Sequence, residues 1–357
     1  MSFFSKQLNK VLSVVSTDMA IDLGTANTLV YVKEKGIVLN EPTIVAINKK
    51  TGQLVAVGHE AKNMQGRTPK HIEVVRPLVD GVISDFEVTE EMLGYLINKV
   101  HSDMNTIVAP RMLIGVPSGI TNVEMRAARD AAENAGARDV FLIEEPMAAA
   151  IGAKLPIDKA NGNMIIDIGG GTTDIAVMSL NGIVVAKNLH VAGDHLNAAI
   201  SSYIRDQFKV YVGEKTVEEA KIALASVKQD NTGNEMVIRG RDVMTGLPRE
   251  VIITAEDIKV AVANQVDTII ESTKAVLEKT PPEVMADIMQ RGISLCGGGA
   301  LMPGLPSLLE ESLQVPVIVV PDPLRTVIRG AGIVIENLDL YEEILIDNEG
   351  ELSPYVA

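Results

Sequence analysis

The sequence predicts an α/β protein of two related domains, each a mixed sheet flanked by helices, with a ligand cleft between them. Three observations predict it. A strand, glycine turn and strand occur at Asp167–Asp174 (Asp-Ile-Gly-Gly-Gly-Thr-Thr-Asp), fed by apolar Met164–Ile166 and followed by Ile175–Met178. The device recurs near the N-terminus, where Met19–Ile21 leads into Asp22-Leu23-Gly24-Thr25-Ala26-Asn27-Thr28 and then Leu29–Val32. A third cluster, Gly297-Gly298-Gly299-Ala300, follows the strand-like Ile293–Cys296 and precedes a helical pattern. One hairpin in each half suggests two domains facing one shared site.

The turn chemistry names a ligand class. Gly169, Gly170 and Gly171 let backbone approach a phosphate closely, and successive N–H groups make an anion nest. Thr25, Thr172 and Thr173 add hydroxyl donors, and Asp22 and Asp167 at the strand ends can hold a hydrated Mg²⁺. Glycine also serves plain turn geometry, so a single run carries either reading. Two such turns fit a polyphosphate held from both sides, and the shelf at Gly297–Gly299 suits an adenine or ribose lying on backbone.

Composition removes other classes. At 357 residues the chain is long enough for two domains. A formal net charge of −15 argues against a nucleic-acid backbone as partner. The single cysteine, Cys296, excludes an internal disulfide framework, fits a reducing cytoplasm and reads as a small buried hydrophobe. Trp is absent and aromatics make up 3%, so a base-stacking platform is excluded. No apolar run approaches the ~18 residues of a membrane span.

The N-terminal stretch reads differently. Phe3, Phe4, Leu8, Val11, Leu12 and Val15 share one helical face, with Lys6 and Lys10 opposite and no acid before Asp18. A lipid-facing amphipathic helix and a helix packed on the body both fit; the local positive charge favours anionic lipid. Next, residues 37–57 read as a small β-meander, and residues 90–100 as a helix with Thr89 as N-cap. In the loop 101–110, Ile107 and Val108 fit either a fold-back onto the core or a second membrane contact.

Arg111–Val116 reads as a buried strand, and residues 122–135 as a helix capped by Thr121 or Asn122. Glu124 in its first turn complements the helix dipole, or orients a water for attack on phosphate. Residues 140–143 form the next strand, and Glu144-Glu145-Pro146 opens a small-residue helix suited to close helix packing. After Ala192-Gly193-Asp194 a helix is expected over 195–208, then one over 217–228 capped by Thr216. Glu218 and Lys221 share one face of it. Residues 236–253 carry hairpin signals around Thr245-Gly246, residues 255–277 a long helix broken by Pro281-Pro282, and residues 324–337 the last helix.

The order DLGTANT (22–28), GVPSGITNVE (115–124), EEPMAAAIG (144–152), DIGGGTTD (167–174) and GGGALMPGL (297–305) resembles the actin, sugar-kinase and heat-shock-chaperone ATPase superfamily. Within it the chain is similar to the bacterial actins that govern rod shape. The resemblance spans essentially the whole chain, including RPLVDGVISDFEVTE (76–90) and EKTPPE (278–283). It implies an actin-like fold of two ribonuclease-H-like domains, each with a smaller subdomain, and a nucleotide in the interdomain cleft. Subdomain IA would take 18–32, 73–143 and 322–345, IB 33–72, IIA 144–180 with 252–321, and IIB 181–251. Residues 1–17 would be the membrane helix and 346–357 an acidic tail.

The resemblance also implies roles. ATP, with GTP left open, would be held with Mg²⁺ by Gly24, Thr25, Ala26, Asn27, Gly169, Gly170, Gly171, Thr172, Thr173, Gly193 and Asp194. Glu218 and Lys221 would meet ribose and adenine beside Gly297, Gly298, Gly299 and Ala300; Asp22 and Asp167 would hold the metal through water, and Glu124 would orient the attacking water. Glu218 with Lys221 fits a plain surface salt bridge equally well. The implied function is a slow ATPase whose self-assembled filaments sit on the inner face of the cytoplasmic membrane. There they would organise wall synthesis with proteins of the elongation machinery. A plasmid-segregating actin and a small-molecule kinase are the rival readings. Eukaryotic actin carries a Lys soon after the first motif, whereas here Leu29 follows Thr28, so a lysine-assisted grip from this turn is not implied.

Overall fold

The computed structural model describes residues 18–102, 108–227 and 233–346. Along the chain, β1 (Met19–Leu23), β2 (Asn27–Val32) and β3 (Gly36–Pro42) are followed by β4 (Val45–Asn48), β5 (Leu54–Val57), α1 (His59–Met64) and β6 (Ile72–Val75). A hairpin of β7 (Leu78–Val79) and β8 (Val82–Ile83) precedes α2 (Phe86–Ser102), β9 (Arg111–Val116), α3 (Asn122–Asn134), β10 (Asp139–Glu144) and α4 (Glu145–Gly152). Then come β11 (Asn163–Ile168), β12 (Thr173–Ser179), β13 (Gly182–Leu189), α5 (Gly193–Tyr203), β14 (Val210–Tyr211), α6 (Glu214–Leu224), β15 (Glu235–Asp242) and β16 (Pro248–Thr254). The chain continues through α7 (Ala255–Lys279), α8 (Pro282–Arg291), β17 (Ile293–Cys296), α9 (Leu305–Leu313), β18 (Val317–Val319) and α10 (Thr326–Glu336).

Two five-stranded sheets are built to one plan. The first has the order β3-β2-β1-β9-β10 and the second β13-β12-β11-β17-β18. In each, three antiparallel strands form a meander and two further strands add in parallel to its first strand. Central β11 is buried along its whole length, as a strand covered on both faces must be. Smaller sheets, β5-β4-β6 and β14-β15-β16, stand outside the large ones.

Among the described residues three large cores hold this frame. Met92, Leu93 and Leu96 of α2 pack with Met112 and Ile114 of β9 in the first. Ile258, Val262 and Ile269 of α7 pack with Ile166 and Ile175 in the second. The third joins the sheets: α4 and α10 lie together among Leu113 and Ile143 of one sheet and Ile165 and Ala176 of the other. Their crossing admits no side chain, since a Cβ on Gly330 would overlap the Ala148 carbonyl and one on Gly152 the Thr326 carbonyl. The alanine-rich stretch 147–150 is thus a close-packing surface, and all four of its residues are buried.

Several boundaries differ from expectation for local reasons. β3 belongs to the first large sheet and not to the small meander, because the tight turn at Lys33–Lys35, with Glu34 at φ 64°, returns the chain along β2. α2 starts earlier: Asp85 accepts from Val88 N at 3.1 Å, so Thr89 lies inside the first turn and its hydroxyl donates to the Asp85 carbonyl. α6 begins at Glu214 after Gly213, leaving Thr216 within the helix, and it ends at Leu224. α5 ends at Tyr203 and runs into a π-helical turn, Ile204–Phe208. The stretch after Tyr341 does not detach at once, since Ile346 N donates to Leu142 O of β10 at 2.9 Å. The expected membrane residues Phe3, Phe4, Leu8, Val11, Leu12, Val15 and Ile107 lie outside the described residues, as does the tail from 347; Val108 is half-buried.

Candidate nucleotide-binding site

Both glycine hairpins form where the sequence places them. β1 and β2 pair from Met19↔Val32 to Leu23↔Thr28, leaving Gly24–Asn27 at the bend. β11 and β12 pair to Ile168↔Thr173, with Asp167 opposite Asp174 and Gly169–Thr172 at the bend. The bends face each other and touch. A Cβ on Gly170 would stand 2.6 Å from the Ala26 Cβ, and one on Gly171 would stand 2.5 Å from Thr25 Oγ1 and 2.9 Å from Asp80 Cα. Only glycine permits that approach, so these residues serve close contact and leave their backbone N–H groups bare.

Different partners brace the two bends. Under the first, the buried Thr43 donates its hydroxyl to Gly24 O at 2.6 Å and its N–H to Ala26 O at 3.0 Å. Thr25 Oγ1 accepts from Gly81 N at 2.9 Å, tying this bend to the β7–β8 hairpin. The second bend is stitched to the start of α5, where Gly193 N donates to Gly169 O at 3.2 Å and Asp194 N to Gly170 O at 2.7 Å. Thr173 Oγ1 donates to Val191 O at 2.7 Å, so this hydroxyl braces the strand and is not turned to a ligand.

The third cluster joins the second bend. β17 runs parallel to β11 with Cys296 beside Asp167, which sets Gly297 against Ile168. Gly299 lies on the Ile168 side chain, and Ala300 is buried in the second core, so this shelf offers backbone alone. From α6, Lys221 Nζ meets Glu218 Oε2 at 2.8 Å and donates to Gly193 O at 3.2 Å. Asn197 Nδ2 donates to the same Glu218 oxygen at 2.6 Å. Burial works to raise Glu218, but Lys221 and Asn197 outweigh it and hold the carboxyl below its usual range. The pair is therefore a salt bridge and also adjoins the glycine turns.

Carboxyl groups gather behind the bends. Burial pushes Asp22 up to about 7. Burial and the charges of Asp174 and Asp22 push Asp167 up to about 7. Asp174 is raised by burial to about 6, although Asn188 Nδ2 at 2.9 Å and Ser118 N at 3.0 Å donate to its Oδ1. Glu144 is pushed up to about 7, and Glu145 well above the carboxylate range, by burial and then by Asp174. These acids disfavour one another's charge, which fits a divalent cation between them. Among the described residues no three His, Cys, Asp or Glu side chains converge in direct metal-ligand geometry. The donor set therefore suits a cation that keeps most of its water and takes other oxygens from a ligand, as Mg²⁺ does.

Glu124 is held by the start of its own helix. Its carboxylate accepts from Thr121 N at 2.7 Å and Thr121 Oγ1 at 2.8 Å, while its own N–H donates to Thr121 Oγ1: a complete capping box. It borders a small pocket lined by Leu23, Leu78, Ile114 and Ile120. Sequence reasoning missed Glu145, Asp174 and Ser118 as parts of the site. The signal available was the second Asp of DIGGGTTD, seven residues after the first and hence opposite it in a hairpin.

The family model described as "MreB/Mbl protein" matches residues 16–343. The chain is 50% identical over 323 residues to the cell shape-determining protein Mbl of Bacillus cereus, covering 90% of this chain and 96% of that one. MreB5 of Spiroplasma citri bound to ADP superposes with a TM-score of 0.86 at 38% identity, covering 92% of this chain and 98% of that one. The same protein bound to AMPPNP gives 0.85. The MamK double helical filament gives 0.77 at 25% identity, covering 90% and 99%.

Proposed function

The chain belongs to the MreB/Mbl family, its fold is actin-like, and on that premise we propose an ATP-dependent actin-like protein. It forms membrane-associated filaments that organise cell-wall synthesis and maintain rod shape. One observation carries the reading most directly: two glycine bends on duplicated sheets meet face to face, where a polyphosphate can be held from both sides. MreB5 binds ADP and AMPPNP in that fold, and MamK assembles into a double helical filament. Adenine nucleotide is thus the expected ligand, and copies of this chain the expected first partner.

Within this proposal the backbone N–H groups of Gly24–Asn27 and Gly170–Thr172 hold the phosphates, while Gly169, whose N–H donates to Thr172 O at 2.9 Å, keeps the second bend in shape and Gly193 and Asp194 close it. Glu218, Lys221 and the shelf at Gly297–Ala300 take the ribose and base. Asp22 and Asp167 would hold Mg²⁺, which when bound would supply charge neutralisation on the phosphates. The proton of the attacking water goes to a carboxylate. That role goes to Glu145 in its ionised form, at the end of β10 and in the field of Asp22, Asp167 and Asp174, whereas Glu124 must first leave its capping box. Hydrolysis is slow and coupled to filament turnover. Subdomains IA and IIA take the two large sheets, so β3 (Gly36–Pro42) passes from the expected IB range to IA and β13 (Gly182–Leu189) from the expected IIB range to IIA. The helix over 1–17 and the loop near Ile107 and Val108 hold the filament on anionic lipid of the inner membrane face, with small increments multiplied along the polymer.

The test is co-sedimentation with anionic liposomes, Mg²⁺ and ATP, comparing the full chain with one beginning at Thr17. The full chain pellets as lipid-bound filaments and the shortened chain pellets much less. Failure of both to assemble or bind lipid, with ATP turnover appearing only when sugars are added, would replace this reading with a kinase.

A further inference from the structure

We propose that Arg76 reads the terminal phosphate of the bound nucleotide, giving up carboxylate partners across the cleft to take it. This rests on the nucleotide reading above. The three glycine segments, 22–32, 167–179 and 297–305, contain no Lys or Arg. They nevertheless surround a site for a polyanion, backed by the carboxyl groups of Asp22, Asp167 and Asp174. Charge must come from Mg²⁺ and from a cation delivered by another element.

Arg76 is placed to deliver it. Its Nη1 stands 3.0 Å from Asp194 Oδ2 and its Nη2 3.6 Å from Glu214 Oε2. Asp194 N is bonded to Gly170 O at 2.7 Å, so the guanidinium is held one residue from the second glycine bend. On its other side Arg76 leads through Pro77 into the β7–β8 hairpin, whose Gly81 N donates to Thr25 Oγ1 of the first bend at 2.9 Å. Backbone contacts thus fix where Arg76 starts and where its partners lie. The side chain itself is 36% exposed, free enough to change partners without being pulled from a core.

The other cation at the bend cannot play this part. Lys221 is held within its own half by Glu218 and Gly193 O. Arg76 comes from the first half and both its acids belong to the second; Gln65 of the first half also donates to one of them, Glu214, at 2.7 Å. A guanidinium pairs with phosphate in the same forked geometry it uses with carboxylate, and a doubly charged terminal phosphate is the stronger partner. With ADP that group is missing and Arg76 stays on Asp194 and Glu214. With ATP it turns inward. The residue then distinguishes the two nucleotides and passes the difference to the contact between halves.

Equilibrium binding of fluorescent ADP and a fluorescent non-hydrolysable ATP analogue, with Mg²⁺ and below the assembly concentration, tests this on the full chain and on R76K and R76Q. R76Q should weaken the ATP analogue about tenfold and ADP less than about twofold, with R76K between parent and R76Q for the ATP analogue. R76K, which keeps the charge, guards against a misfolded variant. Equal losses for both nucleotides would reduce Arg76 to a structural clasp, and no loss for either would also overturn the proposal. A parent chain that binds neither nucleotide would instead remove the nucleotide reading, and this inference with it.

Discussion

The two large sheets share one strand plan but divide their chemistry in opposite ways. In the hairpin layer the second half carries the charge: Asp167 faces Asp174 across β11–β12, whereas Asp22 faces the apolar Leu29 across β1–β2. The first bend is instead braced by the uncharged Thr43 and Thr28, whose hydroxyls lie 2.9 Å apart. In the parallel strands the assignment reverses. β10, the outer parallel strand of the first sheet, ends in Glu144 and leads into Glu145, while β17, the inner parallel strand of the second, leads into the glycines at Gly297–Gly299. A repeated backbone therefore makes an asymmetric site: one copy supplies an acid after its outer parallel strand, the other a glycine surface after its inner one.

The largest test of this division is steric. Gly170→Val puts a side chain into Ala26 across the cleft and should weaken nucleotide binding by about 100-fold, while Ala26→Gly, which only removes a methyl, changes it by less than about threefold. Equal effects in calorimetric titration with ADP would show that the bends do not meet as described. Next comes the acid at the end of β10. Glu145→Gln should lower ATP turnover by about 10²-fold or more, and Glu124→Gln by less than about tenfold, the latter with little change in stability because the glutamine amide oxygen can still accept from Thr121 and keep the capping box. Phosphate-release rates and melting curves on both variants check this; the reverse ranking would return the role to Glu124.

The smallest effect is on pH dependence. Asp22 and Asp167 sit near 7 and Asp174 near 6, against 3.8 for a free aspartate. The folded chain thus holds these protons more tightly than the unfolded one. The stability they contribute is complete below about pH 4 and is lost as pH climbs towards about 7. Without nucleotide and Mg²⁺, the melting temperature should fall between about pH 5.5 and 7.5, and Asp174→Asn should flatten that fall. A slope unchanged in the variant would mean that the acids of the second hairpin do not disfavour one another.

What could be read from the sequence follows from the range of each interaction. The glycine hairpins were legible because a strand, an Asp, a Gly–Thr turn and a strand lie within a dozen or so residues, and local pairing decides them. Family resemblance then supplied the fold, which the superposition on MreB5 bears out. Asp174 was not singled out because its importance depends on Ser118, 56 residues away. Arg76 was invisible for the same reason, with Asp194 a further 118 residues along. The sequence reading puts the cap at Thr89, whereas Asp85 takes it, because burial of Val88 and Met92 extends the helix towards its N-terminus. β3 was misplaced because its composition resembles its neighbours and only the tightness of the preceding turn assigns it to a sheet.

The position of α10 has a consequence for how the protein comes into being. This helix covers β1, β2 and β9 of the first sheet and crosses α4, yet its residues, 326–336, are among the last described. The second large sheet, by contrast, is drawn wholly from 163–319. During synthesis the first sheet emerges early, but the part of its face that α10 covers stays open until residues 326–336 follow the whole of the second sheet. The half made second completes its sheet first, and the half made first waits for a segment made after it.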